Sequence, residues 1–381
     1  MFQTPLKTAL SVQYILQKKE TDISLEIAKD LLQCTYTDGI EDDADTVSLM
    51  LKDPSGKWAG TWSPTRGDKV QVTFVTEARG ALSTQKMTID RLSTQGRPRV
   101  FTIDAVSVPL GGTIRRTSKT RTFEKITLKD IGQRIADDNE LGFMWDCEEN
   151  PEYDRTDQQD VSDLKFLSNL AKDAGFSVKV TAETVIIFDQ ASYEKKTAVK
   201  TIKESGGTLL SWSFTAQQSE RYKACTVKWR DIKKRTKTPV ASTKKKDDRQ
   251  AILDSYINGY QPSKGAKTKK GSTAVKAEVM EYTYSDPDVD DSGQVYKLKK
   301  RCTSQADAER IAKAKLRELN LRQLTGSLTL VGDPLLCAGS VITLSGFGSF
   351  DGNFIIEKAV HTMSQDGYRT SVDVRRVNNN Y

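Results

Sequence analysis

This chain of 381 residues has a single histidine, His361, and that scarcity removes a large share of enzyme chemistry. Histidine-rich metal sites are excluded, and any nucleophile–base pair built on imidazole would depend on that one ring. Cysteines are few and scattered. Cys34, Cys147, Cys225, Cys302 and Cys337 are odd in number and in no close pair, so they read as reduced thiols, neither a disulfide framework nor a zinc site. Long apolar runs are missing as well: the longest, such as Val185 to Phe188, fall far short of a bilayer span. The first twenty residues lack an apolar core followed by a small-residue cleavage site. No Gly-rich loop has the spacing of a Walker or dinucleotide-binding motif, and Gly346-Phe-Gly-Ser-Phe-Asp-Gly352 reads as a hairpin turn. The expectation is a protein with no cofactor, no metal and no membrane span.

What is present is ordinary for a folded protein: 37% hydrophobic and 29% charged residues, enough chain for two to four domains. Its charge is uneven. Between Lys233 and Lys276 there are 13 Lys or Arg against 3 Asp, so this segment holds +10 of a total of +7 and the remainder sums to −3. Lys233, Lys234, Arg235, Lys244, Lys245, Lys246, Lys267, Lys269 and Lys270 could contact a polyanion or line a lumen. Aromatic residues in that segment stop at Tyr256 and Tyr260, which gives stacking on single strands little support. A solvated basic loop facing an acidic partner is the favoured reading, and DNA is the alternative.

Most of the chain reads as short strands. Leu324 to Val331, Ser340 to Leu344, Asn353 to His361 and Tyr368 to Val377 are β-branched runs punctuated by Gly, Pro and Asp, the pattern of an antiparallel meander. In the last run Val372 and Val374 alternate with Ser371, Asp373 and Arg375, predicting one buried and one wet face. The first hundred residues offer further strands at Ala9–Ile15, Asp22–Ile27, Leu31–Tyr36 and Thr46–Leu51, a turn and an alternating strand within Pro64–Phe74, and a strand at Arg99–Val108. Gly67-Asp-Lys-Val-Gln-Val and Gly339-Ser-Val-Ile-Thr-Leu echo one another, each a Gly turn before an alternating strand. Between these regions the period becomes helical. Thr127 caps a helix with Leu128, Ile131 and Ile135 on one face, and Ser162 to Ala171 repeats the pattern with Leu164, Leu167 and Ala171 before Gly175. A hairpin follows, Phe176–Val180 with Val185–Phe188. Leu209–Phe214 and Ala224–Trp229 read as strands that open a second β unit, and a helix capped at Ser304 turns Ala308, Ile311, Ala312 and Leu319 inward.

The run Gly332-Asp-Pro, Ala338-Gly-Ser-Val-Ile-Thr-Leu344, Asp351-Gly-Asn-Phe-Ile-Ile-Glu-Lys-Ala-Val-His361 and the closing Tyr368-Arg-Thr strand resembles the C-terminal barrel of the late control D family. Asp163-Leu164, Phe166-Leu167, Leu170-Ala171 and Gly175-Phe176 resemble that family's most recognisable internal motif. The family contains baseplate hub proteins of contractile phage tails and is similar to the T4-type tail hub and the N-terminal half of the type VI spike protein VgrG. The resemblance implies a mainly β chain of α+β class: a tube-like antiparallel barrel at 1–108, an α/β insertion at 109–205, a second barrel at 206–232 and 295–381, and a basic insertion at 233–294 that it does not cover. It also implies a homotrimeric virion structural protein, not an enzyme, in the baseplate of a phage or tail-like particle assembled in the bacterial cytoplasm. Its implied partners are the tail tube, spike, tape-measure and baseplate wedge proteins, with the spike expected as a separate chain.

Other chemistry finds weak footholds. Asp286-Pro-Asp-Val-Asp290 begins like a calcium loop, but Asp291 and Lys297 stand where Gly and Glu are required. It reads as a solvated turn, as does Glu41 to Asp45. No carboxylate pair among 51 acidic residues stands out for a peptidoglycan hydrolase. His361 reads as structural or exposed, not catalytic.

Overall fold

The computed structural model describes residues 8–16, 19–40, 44–107, 113–181, 183–217, 221–230, 279–287, 289, 293–300, 302 and 304–378. The N-terminal part comprises β1 (Thr8–Leu16), β2 (Lys19–Asp22), α1 (Ser24–Asp30), β3 (Leu31–Gly39), β4 (Thr46–Lys52), β5 (Lys69–Thr76), β6 (Gly80–Ser83), β7 (Met87–Gln95) and β8 (Val100–Val106). Strict alternation decides which face is buried: Val47, Leu49 and Leu51 of β4 and Val70, Val72 and Phe74 of β5 point into one core with Val12, Met87 and Ile103. The strand expected at 22–27 is corrected, because β2 stops at Asp22 and α1 begins at Ser24. The Asp22 carboxylate accepts from the Ser24 amide at 2.9 Å, turning the chain, and Lys29 pairs with Glu26 one turn back at 3.1 Å. Ile27 is then buried from a helix.

The middle of the chain holds α2 (Thr113–Arg116), β9 (Ser118–Thr127), α3 (Leu128–Asp138), β10 (Gly142–Asp146), β11 (Glu152–Ser162), α4 (Asp163–Ala174), β12 (Ser177–Val180), β13 (Thr184–Phe188) and α5 (Gln190–Glu194). The two long helices start where their caps predict. The Thr127 hydroxyl accepts from the Asp130 amide and that of Ser162 from the Lys165 amide, while Gly175 closes α4 in the left-handed region. Leu128, Ile131 and Ile135 are buried as expected. On α4 the buried stripe is Phe166, Leu167, Leu170 and Ala171, with Leu164 only partly covered. The 176–188 hairpin forms, and β10 joins it in parallel to make a three-stranded sheet.

The remainder is β14 (Lys200–Lys203), β15 (Leu209–Ala216), β16 (Tyr222–Arg230), β17 (Val279–Ser285), β18 (Gln294–Lys299), α6 (Gln305–Asn320), β19 (Leu324–Val331), β20 (Val341–Ser345), β21 (Gly352–Ser364) and β22 (Gly367–Arg376). Two differences from expectation matter. The strand at 224–229 forms but pairs with β17 and β18 in a separate three-stranded sheet, on which α6 packs Ala308, Ile311, Ala312 and Leu316, with Leu319 half-buried. And the two barrels are not closed. The strands form one 14-stranded sheet in the order β15-β19-β22-β21-β3-β4-β8-β7-β5-β1-β2, with β6, β14 and β20 to the side. Its ends, β15 and β2, do not pair with each other, so no ring of hydrogen bonds closes among the described residues. The joint is β21, 13 residues long, whose second half pairs Lys358–Ser364 antiparallel with Gln33–Gly39 of β3.

Gly67 and Gly339 each stand two residues before a strand with positive φ, +98 and +83, where a side chain would be strained. Arg375 departs from the expected wet face: it is 1% exposed.

Candidate functional site: the seam between the two β units

Where β21 crosses from one β unit to the other, polar groups with no access to solvent meet. His361 is fully buried. Its Nε2–H donates to the Leu336 carbonyl at 3.1 Å, which leaves Nδ1 to accept from the Tyr368 hydroxyl at 2.7 Å, with Thr370 Oγ1 at 3.2 Å. Tyr36 of β3 stacks on the ring, centroids 6.1 Å apart. Burial pushes the imidazole down to about 4, against a smaller upward pull from Asp38 and the Leu336 carbonyl, so it is neutral near pH 7. With both nitrogens committed, this ring fixes the seam and has no proton to exchange with a substrate.

A second cluster ties the insertion to the same place. Lys179 of β12 reaches Asp38 at 2.9 Å, Asp45 at 3.0 Å and the Gly39 carbonyl at 2.8 Å. Asp38 also accepts from the Ala338 amide at 2.9 Å. Burial alone would lower the Lys179 ammonium, but its two carboxylate neighbours outweigh that and raise it. Asp45 is pushed up to about 6, chiefly by burial, with Lys179 opposing and Asp38 adding. A third contact comes from the turn after β5: Arg79 donates to the Gly332 carbonyl at 3.1 Å and lies 3.7 Å from Asp333, which also pairs with Lys200. Asp38, Arg79, Lys200 and His361 therefore all hold one loop, 332–340, and Lys179 is tied to it through Asp38.

Asp45, read from sequence as part of a solvated acidic turn, is thus an internal ion-pair partner. Asp286 is likewise buried, accepting from Asn320 at 3.0 Å with Arg221 at 3.8 Å, so it anchors β17 to the end of α6. Among the described residues, no group of three His, Cys, Asp or Glu is placed to hold a metal, and no helix is long and apolar enough to cross a membrane. Burial raises all five cysteine thiols, which leaves them little thiolate character. Lys233, Lys234, Arg235, Lys244, Lys245, Lys246, Lys267, Lys269 and Lys270 lie outside the described residues.

The candidate contact surface is the end strand of the large sheet. Leu210 and Trp212 of β15 are 52% and 46% exposed, and among the described residues the strand has a partner on one side only, β19. Phe214 beside them is anchored on Phe347 and Phe350, centroids 5.4 Å away in each case. Apolar side chains exposed on an end strand are of the kind that a neighbouring chain can cover. The family model for the phage tail baseplate hub (GPD) matches residues 88–367.

The chain belongs to the phage tail baseplate hub family.

This baseplate hub relative is 24% identical over 383 residues to a probable baseplate hub protein of Escherichia phage 186, covering 96% of this chain and 93% of that one. Its fold is similar to the tail protein from Neisseria meningitidis MC58, with a TM-score of 0.64, 12% identity and 97% of each chain covered. It is also similar to an Escherichia coli component of the type VI secretion system that exhibits structural similarity to bacteriophage T4 tail proteins. That likeness has a TM-score of 0.53, 12% identity and covers 92% of this chain and 75% of the other. The seam residues that sequence reasoning missed, Asp38, Lys179 and Arg79, carried no local signal, since each meets its partner only after the sheet is assembled.

Proposed function

We propose that this chain is a non-enzymatic structural hub of a contractile tail or tail-like particle, working as a homotrimer that adapts six-fold to three-fold symmetry. The observation that carries the reading is the joint at β21, which holds two β units, each with its own core, side by side in one chain. Three such chains give six similar units in a closed ring, able to face a hexameric tube on one side and a trimeric spike on the other. In this reading the parts are 1–108 and 206–232 with 295–381 as tube-like modules, 109–205 as the insertion and 233–294 as a basic insertion. Closure of the modules into barrels then depends on neighbouring copies, and the single-sided strand β15 with Leu210 and Trp212 is the edge that offers the contact. Tube and spike proteins would bind the two faces, a tape-measure protein the lumen and wedge proteins the outside, with assembly in the bacterial cytoplasm.

Native mass of the purified chain near physiological salt, with and without a short DNA duplex, tests this. The expected result is a particle of about three 42.5 kDa chains that ignores DNA. A monomer that shifts with DNA, and loses the shift when Lys244, Lys245 and Lys246 are neutralised, would replace the hub reading with a nucleic-acid-binding one.

A further inference from the structure

Lys179 differs from two other lysines that reach a buried carboxylate. Lys119 shares Asp163 with Arg121, and Lys200 shares Asp333 with Arg79, so each of those carboxylates has two cations. At Lys179 the ratio is reversed, with one ammonium between two carboxylates, Asp38 at 2.9 Å and Asp45 at 3.0 Å. Both are buried, Asp38 at 8% and Asp45 at 2% exposed. The Gly39 carbonyl accepts from the same Nζ at 2.8 Å, so all three ammonium hydrogens are committed.

This arrangement holds what an amide bond needs. Asp38 lies on β3 and Lys179 on β12, so two strands hold an amine nitrogen at hydrogen-bond distance from a carboxyl and the encounter costs no further entropy. The oxygen of Asp38 that faces away from Lys179 accepts from the Ala338 amide at 2.9 Å, a fixed backbone donor where negative charge would develop during attack. Asp45 touches the same nitrogen and is pushed up to about 6, chiefly by burial, so it takes up and returns a proton readily.

We propose that Lys179 and Asp38 form an intramolecular isopeptide bond, an amide between Nζ and the Asp38 side chain, made by the folded chain itself with Asp45 as proton relay. The ion pair is the state from which the bond forms. One ammonium hydrogen passes to Asp38 Oδ1, giving a neutral amine whose lone pair faces a neutral carboxylic acid, the pairing that burial favours over separated ions. Nζ attacks Cγ, and the electron pair of the Cγ–Oδ2 π bond moves onto Oδ2, held by the Ala338 N–H. Asp45 takes a second hydrogen from the nitrogen and hands it to Oδ1, the Cγ–Oδ1 bond breaks, and water leaves. Two hydrogens depart in the water, one stays on the amide, and Asp45 ends as the carboxylate it began as. The two carboxylates raise Lys179, so the neutral amine is scarce and the reaction slow. The bond joins positions 141 apart and ties the insertion covalently to the first β unit. It is independent of the hub reading.

The test is the mass of the purified full chain after denaturation, followed by digestion and peptide sequencing by mass spectrometry. The expected result is a loss of about 18 Da, one water, with a branched peptide joining Asp38 to Lys179. Lys179→Arg, which keeps the charge but cannot form the amide, and Asp45→Asn should both show the full mass. Asp38→Asn should still cross-link, losing about 17 Da as ammonia in place of water. The mass of the native chain decides the question even where a variant fails to fold. An unmodified mass overturns the proposal. So does the same loss without the branched peptide, as cyclisation at Asp38-Gly39 would give. A cross-link that persists in Asp45→Asn overturns Asp45 as the relay.

Discussion

His361 and Asp45 should pull the stability of this protein in opposite directions as pH changes. The folded-state value of His361, about 4, lies below its ordinary 6.5, so between these values the unfolded chain binds more protons and stability falls as pH falls. The size of the loss is about 3 kcal/mol over that window. Asp45 is raised to about 6 from 3.8, so the folded chain holds its proton and its contribution is lost as pH rises through that value. The two partly cancel in the native protein. Urea unfolding of the native chain and of His361→Gln at pH 7 and pH 4.5 separates them: the stability advantage of the native chain should shrink by about 2–3 kcal/mol on acidification, and an advantage that does not change would mean the ring is not held neutral. Lys179→Met leaves Asp38 and Asp45 buried beside each other without a counter-charge, at a cost of about 3–5 kcal/mol at pH 7. Unlike a simple packing defect, that loss should shrink when the pH is lowered and a carboxyl takes up a proton. His361 was legible as an isolated residue with no catalytic companion. Its burial was not, because nothing local in Ala359-Val-His361 distinguishes a strand between two β units from one at a surface.

Helices were the most legible elements, because their caps and periods are written within a dozen residues. Thr127, Ser162, Gly175 and Ser304 all cap where expected. Ser162→Ala should therefore cost about 1 kcal/mol in thermal unfolding, since the Lys165 amide loses its acceptor. Strands were legible in β4, β5 and β8, where one face is apolar, though β7 with Met87 and Ile89 was missed, and they were hidden where both faces are polar. The pair β9 and β11 is the clearest example: Ser118-Lys-Thr-Arg-Thr-Phe-Glu and Tyr153-Asp-Arg-Thr-Asp-Gln-Gln carry almost no hydrophobic alternation, yet they pair over most of their length. Choice of partner was harder still. The 224–229 strand was found from its β-branched and aromatic residues, but its pairing with β17 and β18, across the basic segment, is a long-range outcome with no local signal. The loop at Gly332 shows how tightly such outcomes are packed: a Cβ there would collide with the Tyr368 ring that hydrogen-bonds His361. Gly332→Ala is expected to destabilise the chain by about 1–3 kcal/mol in urea unfolding, and a neutral substitution would show that the loop can move off the seam.

At the scale of the whole molecule, mainly β architecture and baseplate-hub kinship were readable, whereas the joining of both β units into a single sheet was not. Closure is decided by whether terminal strands meet, and among the described residues β2 and β15 do not. That leaves an apolar single-sided strand on a protein whose relatives are tail components, and such edges are covered, charged or paired in stable proteins. β15 has neither Lys nor Pro along Leu209-Leu-Ser-Trp-Ser-Phe-Thr-Ala216, so nothing in its sequence protects it in isolation. If copies of the chain meet there, Leu210→Glu places a charge in the contact and should convert the trimer to a monomer in native mass measurement. An exposed position of this kind changes folding stability by only about 0.5 kcal/mol, so the variant should melt with the native chain and the effect would belong to assembly. Leu335→Glu is the matched control, equally exposed at 53% but on the 332–340 loop and not on β15, and should leave the trimer intact. Loss of the trimer in both variants would indicate a general loss of solubility, and loss in neither would move the subunit contact away from β15 while leaving the trimer itself to the mass measurement.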